Sequence, residues 1–414
     1  MQTKIEYSFL ITEQGQLADS ILRSCVHCGF CTATCPTYQL LGDELDGPRG
    51  RIYQIKQMLE GHPVTRETVK HLDRCLTCRS CETTCPSGVK YGELLEIGRN
   101  EIEKRVGRPL HQKLLRKGLL FILPYPLRFE LLLKLGQFFR PFLFGALKKS
   151  IPAKVRLLPL QLQSHKRKML ILNGCVQPAL SPGINHATTR VLDVLGIELI
   201  SFPGCCGAIN HHLSDEENTL LTAKNNIDRI LSELNQGSEG IVITASGCGA
   251  MLKEYPHLFR NDSEYKNKAE QVAKKVFDLT EIINAKELKE HLVENREEQA
   301  IAVHTPCTLQ HAQKLSGKIE NILTTCGYQL SDVMNKHLCC GSAGTYSITQ
   351  PGLSRQLRTQ RLKGLMVGQP DLIVTANIGC LLHLNQGSTV NVRHWIELIA
   401  DRINHNHSEI DESK

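Results

Sequence analysis

The chain has 414 residues, of which 41% are hydrophobic and 22% are charged, and its formal net charge is +7. This length and composition predict two to four globular domains, and the mild positive charge with one Trp argues against nucleic acid as a partner. The N-terminus has no basic segment followed by an apolar core, so we expect no secretory signal. Seventeen cysteines, an odd number, suit a reducing cytoplasm better than a disulfide framework, and there they indicate metal or redox chemistry.

Residues 1–105 contain the motif C-x2-C-x2-C-x3-C-P twice, in CVHCGFCTATCP from Cys25 and in CLTCRSCETTCP from Cys75. In such a run three cysteines surround one corner of a [4Fe–4S] cube, and the fourth ligates the neighbouring cluster. The sequence therefore predicts two [4Fe–4S] clusters with crossed ligands, while structural zinc is the alternative for a thiolate site. The predicted ligands are Cys25, Cys28, Cys31 and Cys85 for the first cluster, and Cys75, Cys78, Cys81 and Cys35 for the second.

The rest of this N-terminal segment is predicted to be mostly helical, because few residues alternate with a period of two. Helices are expected over 48–60, with Pro48 at the start and Gly61 after the end, over 64–74 and over 91–106. His27 and His71 are expected to lie beside the clusters rather than to ligate them.

Residues 106–166 form an apolar and basic linker of helical character. Its stretch 117–149, KGLLFILPYPLRFELLLKLGQFFRPFLFGALKK, is rich in Leu and Phe, is interrupted by prolines and carries Lys and Arg. No apolar run reaches the roughly 18 residues that a spanning helix needs. Two interpretations remain: a pair of helices packed on the rest of the protein, or a basic amphipathic surface on a membrane or a membrane-bound partner.

Residues 167–414 contain an internal repeat. Cys175, Cys205 and Cys248 recur as Cys307, Cys339 and Cys380, at separations of 132, 134 and 132 residues (307 − 175, 339 − 205 and 380 − 248). In each copy a short apolar run leads to a cysteine, then to a helical stretch, 184–196 or 318–327, and to the next short run, which is βαβ patterning. We therefore expect two small α/β domains with parallel sheets, over 167–290 and 291–414, whose cysteines meet at one sheet edge.

These later cysteines are candidates for a further cluster. Each copy contains a Cys-Cys-Gly sequence, which is no simple zinc pattern; buried structural thiols and a redox dithiol are the alternatives. The candidate ligands are Cys175, Cys205, Cys206, Cys248, Cys307, Cys339, Cys340, Cys380 and His383. His383 lies three residues after Cys380, hence on the same helical face, while His211, His212, His304 and His394 are weaker candidates. Cys326 has no counterpart in the first copy and is expected to be a buried small hydrophobe.

The two motifs followed by two CCG repeats resemble the iron–sulfur subunits of glycolate oxidase, with relatives in lactate utilisation, anaerobic glycerol-3-phosphate dehydrogenase and heterodisulfide reductase. The resemblance extends over essentially the whole chain, including HLDRCLTCRSCETTCPSGV, TLQHAQKLSG, HLCCGSAGTY and VRHWIE. It implies an electron-transfer subunit without catalytic residues of its own. A flavin-binding partner would oxidise glycolate to glyoxylate, and this chain would pass electrons towards quinone or another acceptor from the cytoplasmic side, at the inner face of the cell membrane.

No GxGxxG after a strand and no P-loop is found, so no flavin site is expected in this chain. One departure concerns the heterodisulfide reductase relatives, in which each CCG repeat ends in C-x-x-C. Here Met251 and His383 replace the last cysteine, so one further cluster in this half is an open alternative. Three other functions stay open: the same role for lactate or glycerol 3-phosphate, a CCG-type thiol–disulfide reductase, and a zinc-stabilised binding module.

Overall fold

The N-terminal region is a bundle of short helices around the two cysteine motifs. The computed structural model describes residues 1–142, 144, 151–155, 157, 159–294 and 299–403. The predicted helices are confirmed as Pro48–Leu59, Arg66–Asp73 and Tyr91–Arg105. Leu22, Ile55, Leu59, Leu72 and Leu94, all fully buried, form the centre of the bundle. The other helices here are Tyr7–Leu10, Glu13–Ser24, Pro36–Leu41 and Ser80–Thr84, with 3₁₀ turns at Phe30–Thr32 and Glu44–Asp46.

A pair of helices, Leu110–Ile122 and Pro126–Phe139, follows the bundle and ends in a 3₁₀ turn, Arg140–Phe142. Neither helix has a buried residue, so the described part of this region does not pack as a core element. Residues 143 and 145–149 of the predicted stretch 117–149 lie outside the described residues. No helix in the described ranges is both long enough and apolar enough to cross a bilayer.

Each cysteine repeat contains a parallel sheet, as predicted, and each sheet has four strands. In the first repeat the strands β1 (Arg167–Gly174), β2 (Ile197–Pro203), β3 (Ile241–Ile243) and β4 (Val276–Asp278) have the order β2-β1-β3-β4. In the second, β5 (Ala300–His304), β6 (Gln329–Leu330), β7 (Leu372–Thr375) and β8 (Asn391–His394) have the order β6-β5-β7-β8. The two sheets thus repeat one topology.

Helices connect the strands of both repeats. In the first repeat they are Gln177–Leu180, Gly183–Val194, Ala208–His212, Glu216–Asn235, Ser246–Lys253, Tyr255–Leu258, Lys266–Ala273, Leu279–Ile282 and Ala285–Glu290. In the second they are Lys318–Thr325, Tyr346–Thr349, Pro351–Leu365, Ile378–Asn385 and Trp395–Ala400, with a π-helical turn at Thr308–Ala312. The helices predicted within 184–196 and 318–327 are both present.

The two repeats share one hydrophobic core. It includes Ile184 and Val191 from the first repeat and Ile373 and Trp395 from the second, each at most 1% exposed. Polar contacts reinforce the junction: His394 Nε2 donates to the carbonyl oxygen of Thr244 at 2.9 Å. Because the strands are parallel, their carboxyl ends lie on one edge of each sheet, and the cysteines after β1 and β5 lie at those edges.

Candidate metal centres

The two N-terminal motifs fold along the same backbone path. His27 and Gly29 have φ of 56° and 86°, and the residues at the equivalent positions of the second motif, Thr77 and Arg79, have φ of 53° and 59°. Positive φ is rare for a β-branched residue such as threonine, because its side chain clashes with the backbone. Such conformations persist where the surrounding structure requires them, and they cluster at functional sites. The repeated strain indicates that each loop is shaped to present its cysteines.

One cavity joins the first motif to the end of the second. Cys25, Cys28 and Cys31 of the first motif line it together with Cys85 of the second, and Cys81 also reaches its wall. The structure therefore brings the four thiols predicted for the first cluster to one space. That space is bounded by both motifs, as the crossed arrangement requires.

The other four thiols form a group around Cys78. Burial raises the pKa of the Cys78 thiol well above its ordinary value, and the nearby Cys307, Cys75 and Cys35 raise it further. Burial likewise raises the pKa of Cys81, with contributions from Cys78, Cys75 and Cys35. Thiols near enough to raise one another's pKa ionise together only with a cation among them, which a metal supplies. All eight N-terminal cysteines are free thiols, and this soft donor set fits two iron–sulfur clusters.

A buried network of charges lies beside this second group. The carboxylate of Asp46 is fully buried and accepts hydrogen bonds from Arg74 Nη1 at 2.7 Å and from Arg51 Nη2 at 3.3 Å. Arg51 is 1% exposed and also donates to the Thr37 hydroxyl at 3.2 Å, which lies 3.3 Å from Cys35 Sγ. The network thus places the Arg51 guanidinium next to Thr37, which contacts the candidate ligand Cys35. His71, expected beside the clusters, has Nδ1 3.1 Å from the same carboxylate.

The CCG repeats each gather four thiols. Contacts between thiols run in order through Cys175, Cys205, Cys206 and Cys248 in the first repeat, and through Cys307, Cys339, Cys340 and Cys380 in the second. Hydrogen bonds from Cys175 and Cys206 lower the pKa of Cys205 to about 4. The partners' own pKa values are raised by the same contacts. Cys326, as expected, lies apart as a buried residue, 1% exposed, near the carbonyl oxygen of Ala285.

The second repeat is docked on the N-terminal bundle next to the Cys78 group. Leu76, Cys307, Cys339 and Tyr346 form a small buried cluster against which Cys78 packs. The hydroxyl of Tyr346 donates to the carbonyl oxygen of Arg74 at 3.1 Å. The thiols of the second repeat are therefore neighbours of the second N-terminal group, whereas the sequence shows no sign of this contact.

The histidine that lies near the thiols of the second repeat is His304, whereas the sequence favoured His383 as a candidate ligand. His383 is buried, and its Nε2 lies 3.1 Å from the Ser354 hydroxyl and 3.2 Å from the Ser354 carbonyl oxygen. A nitrogen of His304 instead lies within 4.8 Å of the sulfurs of Cys340 and Cys380. His304 ends β5, so it enters the group from the sheet rather than from the helix that carries Cys380.

Comparison with known proteins agrees with this geometry. A 4Fe-4S dicluster domain matches residues 21–89, and a cysteine-rich domain matches twice, at 169–253 and 301–385. The glycolate oxidase iron-sulfur subunit of Escherichia coli K12 is 52% identical over 406 residues, which cover 97% of this chain and 99% of that protein. The chain belongs to the family of glycolate oxidase iron–sulfur subunits.

Two more distant relatives are another glycolate oxidase subunit and a lactate utilization protein. A probable glycolate oxidase iron-sulfur subunit of Bacillus subtilis 168 is 28% identical over 424 residues, 93% of this chain and 94% of that protein. Lactate utilization protein A of Shouchella clausii KSM-K16 is 27% identical over 237 residues, which cover 55% of this chain and 96% of that protein. Family membership confirms the resemblance drawn from the motifs, and the dicluster match implies two [4Fe–4S] clusters in the helical region.

Sequence reasoning missed the buried charges of the site. Asp46, Arg51 and Arg361 are each at most 1% exposed, although their residue types are usually found at the surface. The signal for Arg51 was available, because it lies on the apolar face of the helix Pro48–Leu59, one turn before Ile55. A charged residue on an apolar helical face indicates a buried partner.

Proposed function

We propose that this chain is the electron-transfer subunit of a flavin-dependent glycolate oxidase complex, in which a partner subunit oxidises glycolate to glyoxylate. The observation that carries this proposal is the near-full-length, 52% identity to the Escherichia coli glycolate oxidase iron-sulfur subunit. The N-terminal thiols, gathered in two groups of four, agree with it. The chemistry comes from iron–sulfur clusters, which accept and release one electron at a time, whereas the flavin that oxidises the substrate belongs to the partner.

The chain's own residues hold these centres. Cys25, Cys28, Cys31 and Cys85 hold the first cluster, and Cys75, Cys78, Cys81 and Cys35 hold the second. The two groups are neighbours, since burial and then Cys25 and Cys35 raise the pKa of Cys31 to about 11, and Cys35 belongs to the second group. The crossed fourth ligands fasten the two loops to each other, so neither centre can move without its neighbour. Short distances between centres are what an electron relay needs.

The proposal is tested by asking which acceptors need this chain. The flavin-binding partner should reduce an artificial dye with glycolate whether or not this chain is present, because such a dye takes electrons at the flavin. Reduction of a quinone analogue should require this chain. Quinone reduction by the partner alone, at the rate of the complete assembly, would contradict the relay. Turnover of lactate or glycerol 3-phosphate without turnover of glycolate would assign one of the alternative substrates.

The proposal also includes where the electrons are delivered, namely at the cytoplasmic face of the cell membrane. What supports it is the apolar helix pair Leu110–Ile122 and Pro126–Phe139. Leu127, Leu131 and Phe138 are 81%, 70% and 70% exposed, an unusual amount of apolar surface for one small region. Between residues 110 and 142 there are six Lys or Arg and one Glu, a balance that suits an anionic lipid surface.

Sedimentation with lipid vesicles tests this docking. The complex should bind vesicles that contain anionic lipid, and the double variant Leu131→Glu/Phe138→Glu should lose most of that binding, because two charges enter the apolar face. Leu221→Glu is the matched control, since Leu221 is 56% exposed but lies on the helix Glu216–Asn235 of the first repeat. Equal binding by wild type and double variant, or no binding by wild type, would contradict membrane docking.

A further inference from the structure

The second cysteine repeat contains a buried polar pair that the first repeat lacks. His304 is fully buried and lies three residues before Cys307, the first cysteine of its repeat. Three residues before Cys175 in the first repeat stands Leu172. Beside His304 lies Arg361, which is 1% exposed. The two repeats are therefore built differently around otherwise equivalent thiols.

Arg361 is a buried cation, and its hydrogen-bond partners among the residues that the structure describes are all neutral. Its Nε donates to His304 Nδ1 at 3.1 Å, and its Nη1 donates to the carbonyl oxygens of Met334 and Asn335 at 3.0 and 2.9 Å. Its Nη2 is buried and has no hydrogen-bond partner among the described residues. A buried charge is costly unless an opposite charge compensates it. The guanidinium therefore requires an anion, and no carboxylate among the described side chains contacts it.

His304 has the same deficiency. Because its Nδ1 accepts a hydrogen bond from Arg361, the proton of the neutral ring is on Nε2. Nε2 is buried, and no group in the described part of the chain pairs with it, so the site holds two unsatisfied donors. One nitrogen of this ring lies within 4.8 Å of the sulfurs of Cys340 and Cys380. Cys340, Cys339 and Cys380 also lie near the Arg361 guanidinium, since they offset part of the fall in its pKa that burial causes. Both donors thus adjoin the pocket of thiols, and what the pocket lacks is an acceptor with negative charge.

The first repeat has no such deficiency of acceptors. There the helix Glu216–Asn235 supplies Asn226, whose Nδ2 donates to the carbonyl oxygen of Cys205 at 2.8 Å and to the Tyr255 hydroxyl at 2.9 Å. The Tyr255 hydroxyl in turn donates to the carbonyl oxygen of Cys206 at 2.9 Å. Backbone carbonyls therefore accept the hydrogen bonds of the buried donors behind these cysteines, and Leu172 fills the position of the histidine. The buried side-chain atoms of the first repeat that have no partner among the described residues, Gln177 Oε1 and Asn210 Oδ1, are acceptors rather than donors.

We propose that the second repeat, and not the first, binds a thiolate-ligated metal centre whose negative charge is compensated by His304 and Arg361. The ligands are Cys307, Cys339, Cys340 and Cys380. Four thiolates around iron or zinc leave a net negative centre, and its sulfur atoms accept the hydrogen bonds that Nε2 of His304 and Nη2 of Arg361 offer. The role of this site as a third centre, next to the Cys78 group, rests on the proposed function, whereas metal binding itself does not.

Metal analysis of the assembled protein tests this asymmetry with matched variants in the two repeats. Iron, zinc and acid-labile sulfide are counted per chain in wild type, Cys380→Ser and Cys248→Ser, which change equivalent cysteines. Wild type should contain metal beyond the about eight irons of two cubane clusters. Cys380→Ser should lose this excess and Cys248→Ser should keep it. Excess iron with sulfide identifies an iron–sulfur cluster, and excess zinc without sulfide identifies a single ion.

A second variant tests the buried polar pair without changing any thiol. His304→Leu places the first repeat's residue in the second repeat, removes one donor and leaves all four thiols. We expect it to lower the retained excess metal at least several-fold, while the EPR signals of the two N-terminal clusters stay unchanged as an internal control of folding. No excess metal in wild type, equal loss in Cys380→Ser and Cys248→Ser, or full retention in His304→Leu would overturn the inference. If wild type shows no EPR signals from the two N-terminal clusters, the proposed function is overturned instead.

Discussion

Replacing Cys28 by serine should abolish glycolate-dependent reduction of a quinone analogue by the assembled complex. Cys28 lines the cavity shared by Cys25, Cys31 and Cys85, and a cubane that loses one of its four ligands is not retained at full occupancy. The purified variant should lack about four of its irons, one cluster's complement. Less protein should also accumulate, because cluster binding and folding are coupled. Iron content and quinone reduction are measured on the same preparation.

The crossed arrangement makes this prediction more specific. Cys85→Ser, although it changes the second motif, should remove the same cluster signal in EPR as Cys28→Ser does. Cys326→Ser is the control, since that thiol lies outside all four groups and is buried near Ala285; it should keep its iron and its activity. Intact quinone reduction in the Cys28→Ser complex would contradict the relay, and loss of the other cluster in Cys85→Ser would contradict the crossing.

Replacing Asp46 by asparagine should destabilise the N-terminal bundle by about 3–5 kcal/mol, because it leaves buried positive charge unpaired. The carboxylate is fully buried between Arg51 and Arg74, and asparagine keeps its size but removes its charge. Since Arg51 contacts Thr37 and Thr37 contacts Cys35, the second cluster should also be lost more readily. The measurement is urea unfolding followed through both helix content and cluster absorbance.

A matched substitution at the surface provides the control. Asp19→Asn removes an ion pair with Arg23, whose side chain is 56% exposed, and exposed pairs contribute about 0–1 kcal/mol. Asp19→Asn should therefore unfold close to wild type, whereas Asp46→Asn should unfold at much lower urea. Similar midpoints for the two variants would show that the buried network does not stabilise the bundle.

The cysteine spacings were sufficient to predict the architecture. The two C-x2-C-x2-C-x3-C-P runs are local patterns, which a sequence displays directly. The internal repeat is visible because each copy consists of the same local patterns in the same order. The helix Pro48–Leu59 could be predicted for the same reason, with Pro48 at its first position. Parallel sheets followed from the alternation of short apolar runs with helical stretches.

Side-chain direction and long-range docking could not be predicted. His383 was favoured because it lies one helical turn after Cys380, but the helix Ile378–Asn385 packs so that its ring contacts Ser354. His304 has no spacing signal, because it reaches the thiols across the sheet. Packing of Cys78 next to Cys307 joins residues more than two hundred positions apart, and no period in the sequence encodes that contact.

The sequence also could not predict whether the apolar side chains of the helix pair are buried or exposed. An apolar stripe on a helix predicts burial against some partner, but it does not say whether the partner is this chain. The structure leaves Leu127 and Phe138 largely exposed, which favours an external partner over internal packing.

The central claim, that this chain holds two iron–sulfur clusters for electron transfer, is tested most directly by iron and acid-labile sulfide per polypeptide after anaerobic purification. The account predicts about eight irons and about eight sulfides in the N-terminal clusters, an EPR signal from reduced cubanes, and further metal bound in the second repeat alone. Zinc without iron or sulfide would contradict the account, because the same thiols would then be a structural site with no electron to pass on.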